Sequence, residues 1–204
     1  MKSIAIIGAS GHGKVVADIA LANGFELIEF YDDKWPEVTN IGIHLVKGRV
    51  SDVLNREFDY DHIVVAIGNS NVRGLIQNNL SKKSPALVHP MAFVGSDVKI
   101  GSGTVVMPGA IINSSTTIGR GVIINSGAVV EHDCFVGDFS HISPNSALAG
   151  GVSVGQFSWV GIGASVIEMV RIGSYVTVGA GSVVTRDIKD KLTVVGSPAT
   201  VLIK

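Results

Sequence analysis

From Val94 to Val184 every sixth residue is Ile, Leu or Val, sixteen positions without an exception: Val94, Ile100, Val106, Ile112, Ile118, Ile124, Val130, Val136, Ile142, Leu148, Val154, Val160, Val166, Ile172, Val178 and Val184. An α-helix would scatter such a repeat around its axis, whereas short strands joined by tight turns can bring the same residue inward at each step. The fourth residue after each aliphatic is small or β-branched, as at Thr104, Ala110, Thr116, Ala128, Cys134, Ser140, Ser146 and Ala164. A large inward side chain alternating with a small one suits a narrow prism, and β-branched residues suit strands. The second half is therefore expected to be a coil of short strands with no inserted loop, so any chemistry there must come from the coil itself.

The first half is built differently. Ile4 to Ile7 form a short apolar run ending in Gly8-Ala9-Ser10-Gly11-His12-Gly13-Lys14, and Val15 to Ala20 follow with helical spacing. That pattern predicts strand, glycine turn, helix. A second strand, Glu26 to Phe30, runs into Tyr31-Asp32-Asp33, and a later one, His62 to Ile67, runs into Gly68-Asn69 before a helical stretch from Val72 to Leu80. Alternating strands and helices predict a small Rossmann-like parallel α/β sheet. Its ligand should sit at the carboxyl ends of the strands, where Gly8 to Gly13, Asp32 with Asp33, and Gly68 with Asn69 converge. A polar, Pro-containing stretch from Ser81 to His89 marks the boundary, giving an α/β domain over 1–82 and the coil over 83–204.

With one Cys in 204 residues, a formal charge of −1 and no clustered Lys/Arg face, neither a disulfide framework nor nucleic-acid binding has support. The first residues hold only four consecutive apolar positions before Gly8, too few for a signal peptide, and no stretch approaches a membrane span, so a cytoplasmic location is expected.

The glycine turn has look-alikes. Gly8 to Lys14 has phosphate-loop spacing, but Val15 stands where the Mg-binding Ser or Thr belongs, which argues against NTP hydrolysis. Its order, G-x-x-G-x-G, departs from the dinucleotide fingerprint, which argues against a nicotinamide cofactor. Glycines at a helix amino end still let the backbone approach a phosphate. Ala9, Ser10, Gly11 and His12 are thus candidate ligand contacts, with Asp32 and Asp33 suited to ribose or base donors; a ligand-free turn is the competing reading.

His132 lies two residues after Val130, at an outward position flanked by Glu131 and Asp133. A neutral imidazole can take a proton from an attacking amine, and a carboxylate on its far nitrogen would fix the tautomer. That is general-base machinery, against the alternative of an exposed corner histidine. Cys134 invites an acyl-enzyme, but it occupies the small inward position and is expected to be a buried thiol.

Gly8-Ala9-Ser10-Gly11-His12-Gly13, Asp32-Asp33, Ala66-Ile67-Gly68-Asn69, the segment around His132 and Asp133, Gly137 to Pro144, Leu148 to Gly151 and Val195 to Ala199 together resemble the hexapeptide-repeat acyltransferases. The likeness is to the subgroup that acetylates nucleotide-linked amino sugars, also called sialic-acid O-acetyltransferase-like. The resemblance implies a left-handed parallel β-helix of about five coils, three hexads to a coil. It implies an N-terminal domain that holds the nucleotide sugar and a homotrimer that holds acetyl-CoA, a co-substrate rather than a tightly bound cofactor, in clefts between subunits. It assigns His132 as general base with Asp133 polarising it, His141 to acetyl-CoA near the thioester, the Gly150 amide to the oxyanion, and Ile162 and Ala180 to the pantetheine arm. Gly68 joins Ala9, Ser10, Gly11, His12, Asp32 and Asp33 on the nucleotide sugar. The implied reaction is direct, metal-free N-acetylation, with a UDP-4-amino-4,6-dideoxy sugar as first choice, in surface glycan biosynthesis.

The alternatives are an O-acetyltransferase, a zinc hydratase and an inert scaffold. Within the repeat only His132 and His141 are available, which supplies a three-His zinc site poorly. Outward apolar residues such as Ile111, Ile123, Val129 and Phe135 are costly in water, and a cyclic trimer would bury them.

Overall fold

The computed structural model describes residues 1–203. Strands β1 (Ser3–Ile7), β2 (Leu27–Tyr31), β3 (Asn40–Ile41), β4 (His44–Gly48) and β5 (His62–Val65) form one sheet in the order β3-β4-β2-β1-β5, parallel except for the β3–β4 hairpin. Every residue of β1 is buried, which explains its unbroken apolar run: Ile4 and Ile6 pack with Val16 and Ile19 of helix α1 (Gly11–Ala22), while Ala5 and Ile7 face Val53 and Leu80 on the other side. Helices α2 (Val50–Leu54) and α3 (Ser70–Asn79) complete this half.

Two details differ from the sequence expectation. Helix α1 begins at Gly11 rather than Val15, so the second and third glycines form its first turn. The reason is a close approach: a Cβ on Gly13 would collide with the Gly8 carbonyl and meet Phe30 at 3.1 Å. Strands β3 and β4 and helix α2 lie between the expected strands, in a stretch where the sequence reading places no element although Ile41, Ile43 and Leu45 alternate; the hairpin turns at Gly42, which has φ of +59°.

From Leu87 onward the chain winds as a parallel β-helix. From Leu87–Val88 to Ser165–Val166 each two-residue strand pairs with the one eighteen positions later, as in Val129 with Ala147 and His141 with Trp159, so three hexads make a coil. The three sides are sheets of six, five and eight strands. Fourteen of the sixteen repeat aliphatics are buried. Val94, 38% exposed, and the half-buried Ile100 are the exceptions: they lie in the first coil, with no earlier coil on their sides, whereas Ile188, Val194 and Ala199 join the core at the other end.

Every sixth residue from Asp97 to Gly181 has φ between +55° and +72°, which turns each corner. Seven of these fifteen are Gly; the rest include Asp133, Phe139 and Asn145, side chains held in the left-handed region at a cost of about 1 kcal/mol each. The small inward residues have a second job. The hydroxyls of Thr104, Thr116, Ser140 and Ser158 each donate to the carbonyl fifteen residues on and accept from the amide eighteen residues on, at 2.7–3.2 Å. Buried polar atoms inside the prism are thereby satisfied.

Leu87, Val105, Met107 and Ile123 project outward from one side of the coil into the core beneath α1. Ile123, expected to be an outward residue that a second copy would bury, is instead covered by the α/β half of its own chain, whereas Ile111 and Phe135 on the other sides stay exposed. Among the described residues no helix is long and apolar enough to cross a membrane.

Candidate active site

The parallel strands end at one edge, and their last residues are tied together there. The Gly8 amide donates to the Tyr31 carbonyl, and the Ala9 amide donates to Asp32 Oδ2 at 2.7 Å, so the turn after β1 is anchored to the end of β2. Gly8 has φ of +114°, and a Cβ there would lie 2.8 Å from the Ala66 carbonyl oxygen after β5. Ser10 caps α1 in an extended conformation without a side-chain capping bond, which leaves the first-turn amides open. Asp33 points elsewhere: its Oδ1 accepts from the Val50 amide at the start of α2. Of the seven residues expected at this end, Asp33 is thus the one engaged away from the turn.

His141 stands where the coil meets this edge. A cavity of about 300 Å³ is lined by Gly68, Asn69 and Ser70 from the α/β half and by His141, Ser158 and Trp159 from the coil. On the other side of His141 and Trp159 a second cavity of about 310 Å³ runs past Ser143, Pro144, Ile162 and Ala180. The two parallel rings, 5.9 Å between centroids, form the wall between the cavities. Trp159 is pinned by donating its Nε1–H to Ser143 Oγ at 2.6 Å.

The protonation of His141 follows from its neighbour. Asn125 Oδ1 accepts from the Ser126 amide, which orients the side chain so that its Nδ2–H donates to His141 Nε2 at 2.9 Å. The imidazole is therefore neutral, with its proton on Nδ1 and its Nε2 lone pair occupied. Burial, aided by the Arg73 guanidinium and by His12, lowers its pKa to about 3. His12, half-buried like His141, is lowered to about 4 by desolvation and Arg73, and its Nε2 has no partner among the described residues.

His132 has the opposite arrangement. It sits at a different corner of the prism, between the strands Val129–Val130 and Phe135–Val136, and is exposed. Asp133 occupies the left-handed turn position, φ +58°, which swings its carboxylate back onto the preceding side chain: Oδ2 accepts from His132 Nδ1 at 2.8 Å. Nε2 is then the bare, basic nitrogen. One coil on, a Cβ at Gly150 would lie 2.7 Å from both Cε1 and Nε2 of this ring. The left-handed position of that corner is Gly151, φ +70°, so Gly150 owes its missing side chain to the imidazole and not to the backbone. Its carbonyl is bonded to Met169, while its N–H has no acceptor among the described residues. Glu131 turns away and accepts from Asn113 Nδ2 at 2.8 Å.

Cys134 is a structural thiol. Its Sγ donates to the Ala149 carbonyl fifteen residues on, the bond that Thr and Ser hydroxyls make at equivalent positions, and burial raises its pKa. Cys134→Ser is therefore expected to keep full turnover and a melting temperature within a few degrees of wild type; loss of turnover with the fold intact would restore a covalent role.

One chain thus presents two groups of expected residues. Ala9, Ser10, Gly11, His12, Asp32, Gly68 and His141 gather at the junction of the two halves, with Ile162 and Ala180 beyond the Trp159 wall; His132, Asp133 and Gly150 form a separate corner. The sequence reading missed Trp159, Asn125 and Ser143. Trp159 was accessible to it, lying one coil beyond His141 in register.

Residues 3–80 match the PglD N-terminal domain family, and residues 97–132 match the bacterial transferase hexapeptide (six repeats). The UDP-N-acetylbacillosamine N-acetyltransferase of Bacillus subtilis is 38% identical over 118 residues, a match spanning about half of each chain, 52% of this one and 51% of the relative. The acetyltransferase domain of PglB from Neisseria gonorrhoeae is 40% identical with a TM-score of 0.93 over 99% of this chain and 100% of its own; it is also known in complex with acetyl coenzyme A. A histidine-to-alanine variant of GDP-perosamine N-acetyl transferase from Caulobacter crescentus, in complex with CoA and GDP-perosamine, is 38% identical with a TM-score of 0.91 over 100% and 98% of the two chains. Likeness at this identity over the whole length joins fold and sequence, and the chain belongs to the hexapeptide-repeat, left-handed β-helix acyltransferases, in their nucleotide-aminosugar N-acetyltransferase subgroup.

Proposed function

We propose that the protein moves the acetyl group of acetyl-CoA to the amine of a nucleotide-linked amino sugar, in a glycan-building pathway of the cytoplasm. The observation that carries the mechanism is the contrast between the two histidines: His132 has a bare Nε2 and a tethered Nδ1, whereas the Nε2 of His141 is occupied. His132 is the general base, with Asp133 holding its tautomer. The sugar nitrogen bonds to the thioester carbonyl carbon while His132 Nε2 takes its proton. The oxyanion accepts from the Gly150 N–H, the C–S bond breaks, and the proton passes to the leaving sulfur.

The nucleotide sugar occupies the edge built by Ala9, Ser10, Gly11, His12, Asp32 and Gly68 in the 1–82 domain, where an open helix amino end favours a diphosphate. Asp33 belongs to this set through the loop it braces. Acetyl-CoA runs along the 83–204 domain past His141, Ile162 and Ala180, and the apolar lining of the second cavity suits a pantetheine arm. Because His132 and His141 lie at different places on one prism, the reaction needs a second copy to bring them together. A homotrimer satisfies this and covers Ile111 and Phe135.

The test is CoA release from acetyl-CoA with a panel of 4-amino-4,6-dideoxy sugars on UDP, dTDP and GDP. At least one should be turned over, and Asp32→Ala should raise its KM about tenfold while sparing that of acetyl-CoA. Turnover of hydroxylated acceptors alone would favour O-acetylation, and full activity in a monomer of 21.2 kDa by light scattering would remove the shared site.

A further inference from the structure

Arg73 is 1% exposed, and among the described residues it has no carboxylate partner. A guanidinium this deep normally pairs with an anion, because desolvation of an unpaired charge is expensive. Here its fork is satisfied by carbonyls alone, and they come from both halves of the protein. Nη1 donates to Ile67 at 2.8 Å and Gly68 at 2.9 Å, in the loop after β5; Nε donates to Gly121 at 2.8 Å and Nη2 to Phe139 at 2.6 Å, both at corners of the coil.

Those acceptors are not scattered. Gly68 is a wall of the first cavity, and Phe139 is two residues before His141, which forms the facing wall. The planar fork spans the seam between the Gly68 loop and the Phe139 corner, and so ties the loop that carries one wall to the turn that precedes the other. A second side chain of the same helix, Gln77, one turn on, also donates to the coil, from Nε2 to the Ser102 carbonyl at 2.8 Å, but neither lines the first cavity. Gly74 brings the helix against Phe157, where a Cβ would approach the ring to 2.9 Å. Helix α3 thus docks the two halves at several points, and Arg73 is the one that bonds a cavity residue, Gly68, and also the corner at Phe139 that leads into the His141 strand.

We infer that Arg73 is a positioning residue for the acceptor: its carbonyl-bonded fork holds the Gly68 loop in register with the His141 strand, and so shapes the cavity that receives the nucleotide sugar. This rests on the proposed placing of the nucleotide sugar at the edge that includes Gly68, where this cavity opens. A Lys at 73 keeps a charge but is a point donor that cannot span four carbonyls in the guanidinium's plane.

The test compares Arg73→Lys with Gln77→Ala by steady-state kinetics, with direct acetyl-CoA binding and melting temperature as controls. Arg73→Lys should raise KM for the nucleotide sugar at least tenfold and leave acetyl-CoA affinity within about twofold. Gln77→Ala should lower the melting temperature yet keep both KM values within about twofold. If both variants raise the acceptor KM equally, helix docking in general is responsible and the inference fails; it fails too if Arg73→Lys leaves the acceptor KM unchanged. Should Arg73→Lys not fold, Arg73→Met, which removes the buried charge, must show the same selective rise in KM. Absence of turnover by the wild type with every nucleotide sugar would instead overturn the proposed reaction, so the two failures are distinguishable.

Discussion

Replacing His132 by Ala is expected to lower kcat by about 10²- to 10⁴-fold, the range in which a positioned general base contributes, with little change in the affinity for either substrate. The side chain is exposed and at a corner, and its single hydrogen bond within the chain is to Asp133, so its removal opens no cavity and strips no buried group of its partner. A folded, binding-competent enzyme with a specific defect in proton transfer is the expected product. Asp133→Asn sharpens the result: Asn tolerates the left-handed turn at φ +58° and can still accept from Nδ1, so the fold is kept while the charge behind the imidazole is lost. Its kcat should fall between wild type and His132→Ala. Stopped-flow or steady-state assays with unchanged acetyl-CoA binding give the comparison; normal turnover in His132→Ala would end the general-base assignment.

Gly150→Ala should lose about 10²- to 10³-fold in kcat, comparable to removal of an oxyanion donor. An Ala at this position meets no backbone penalty, because the left-handed turn of that corner falls on Gly151. The new methyl would instead stand 2.7 Å from Nε2 and Cε1 of His132, inside contact distance, and must push the ring from the site that the amine occupies. One methyl group would then disturb both the base and the access to the Gly150 amide. The matching control is Gly163→Ala, at a corner with open space but φ of +64°, which should cost about 1 kcal/mol of stability and leave kcat intact. Wild-type turnover in Gly150→Ala would mean that neither the amide nor the ring position matters to the reaction.

The coil was legible because its signal is periodic and redundant. A six-residue rule repeated sixteen times needs no knowledge of distant contacts, and the same count places Gly150 one coil beyond His132 and Trp159 one coil beyond His141. The inward thiol of Cys134 was readable for the same reason. The apolar strands β1, β2 and β5 and the Gly8, Asp32 and Gly68 turns that follow them were also visible, since each is a short run closed by a turn.

What no spacing rule could supply is everything that depends on two halves meeting. Ile123 reads as an outward aliphatic for a second copy to cover and is in fact packed beneath α1, and Arg73, which no spacing sets apart within its helical stretch, is in fact a buried bolt between halves. The states of the two histidines belong to the same class: Asn125 takes up Nε2 of His141, while the turn at Asp133 frees that of His132. Periodicity along a chain specifies which residues face inward and which recur at each coil, because strand and corner geometry are local. Which outward side chain becomes buried, bonded or left bare is set by what another part of the chain brings against it, and that is a property of the folded molecule alone.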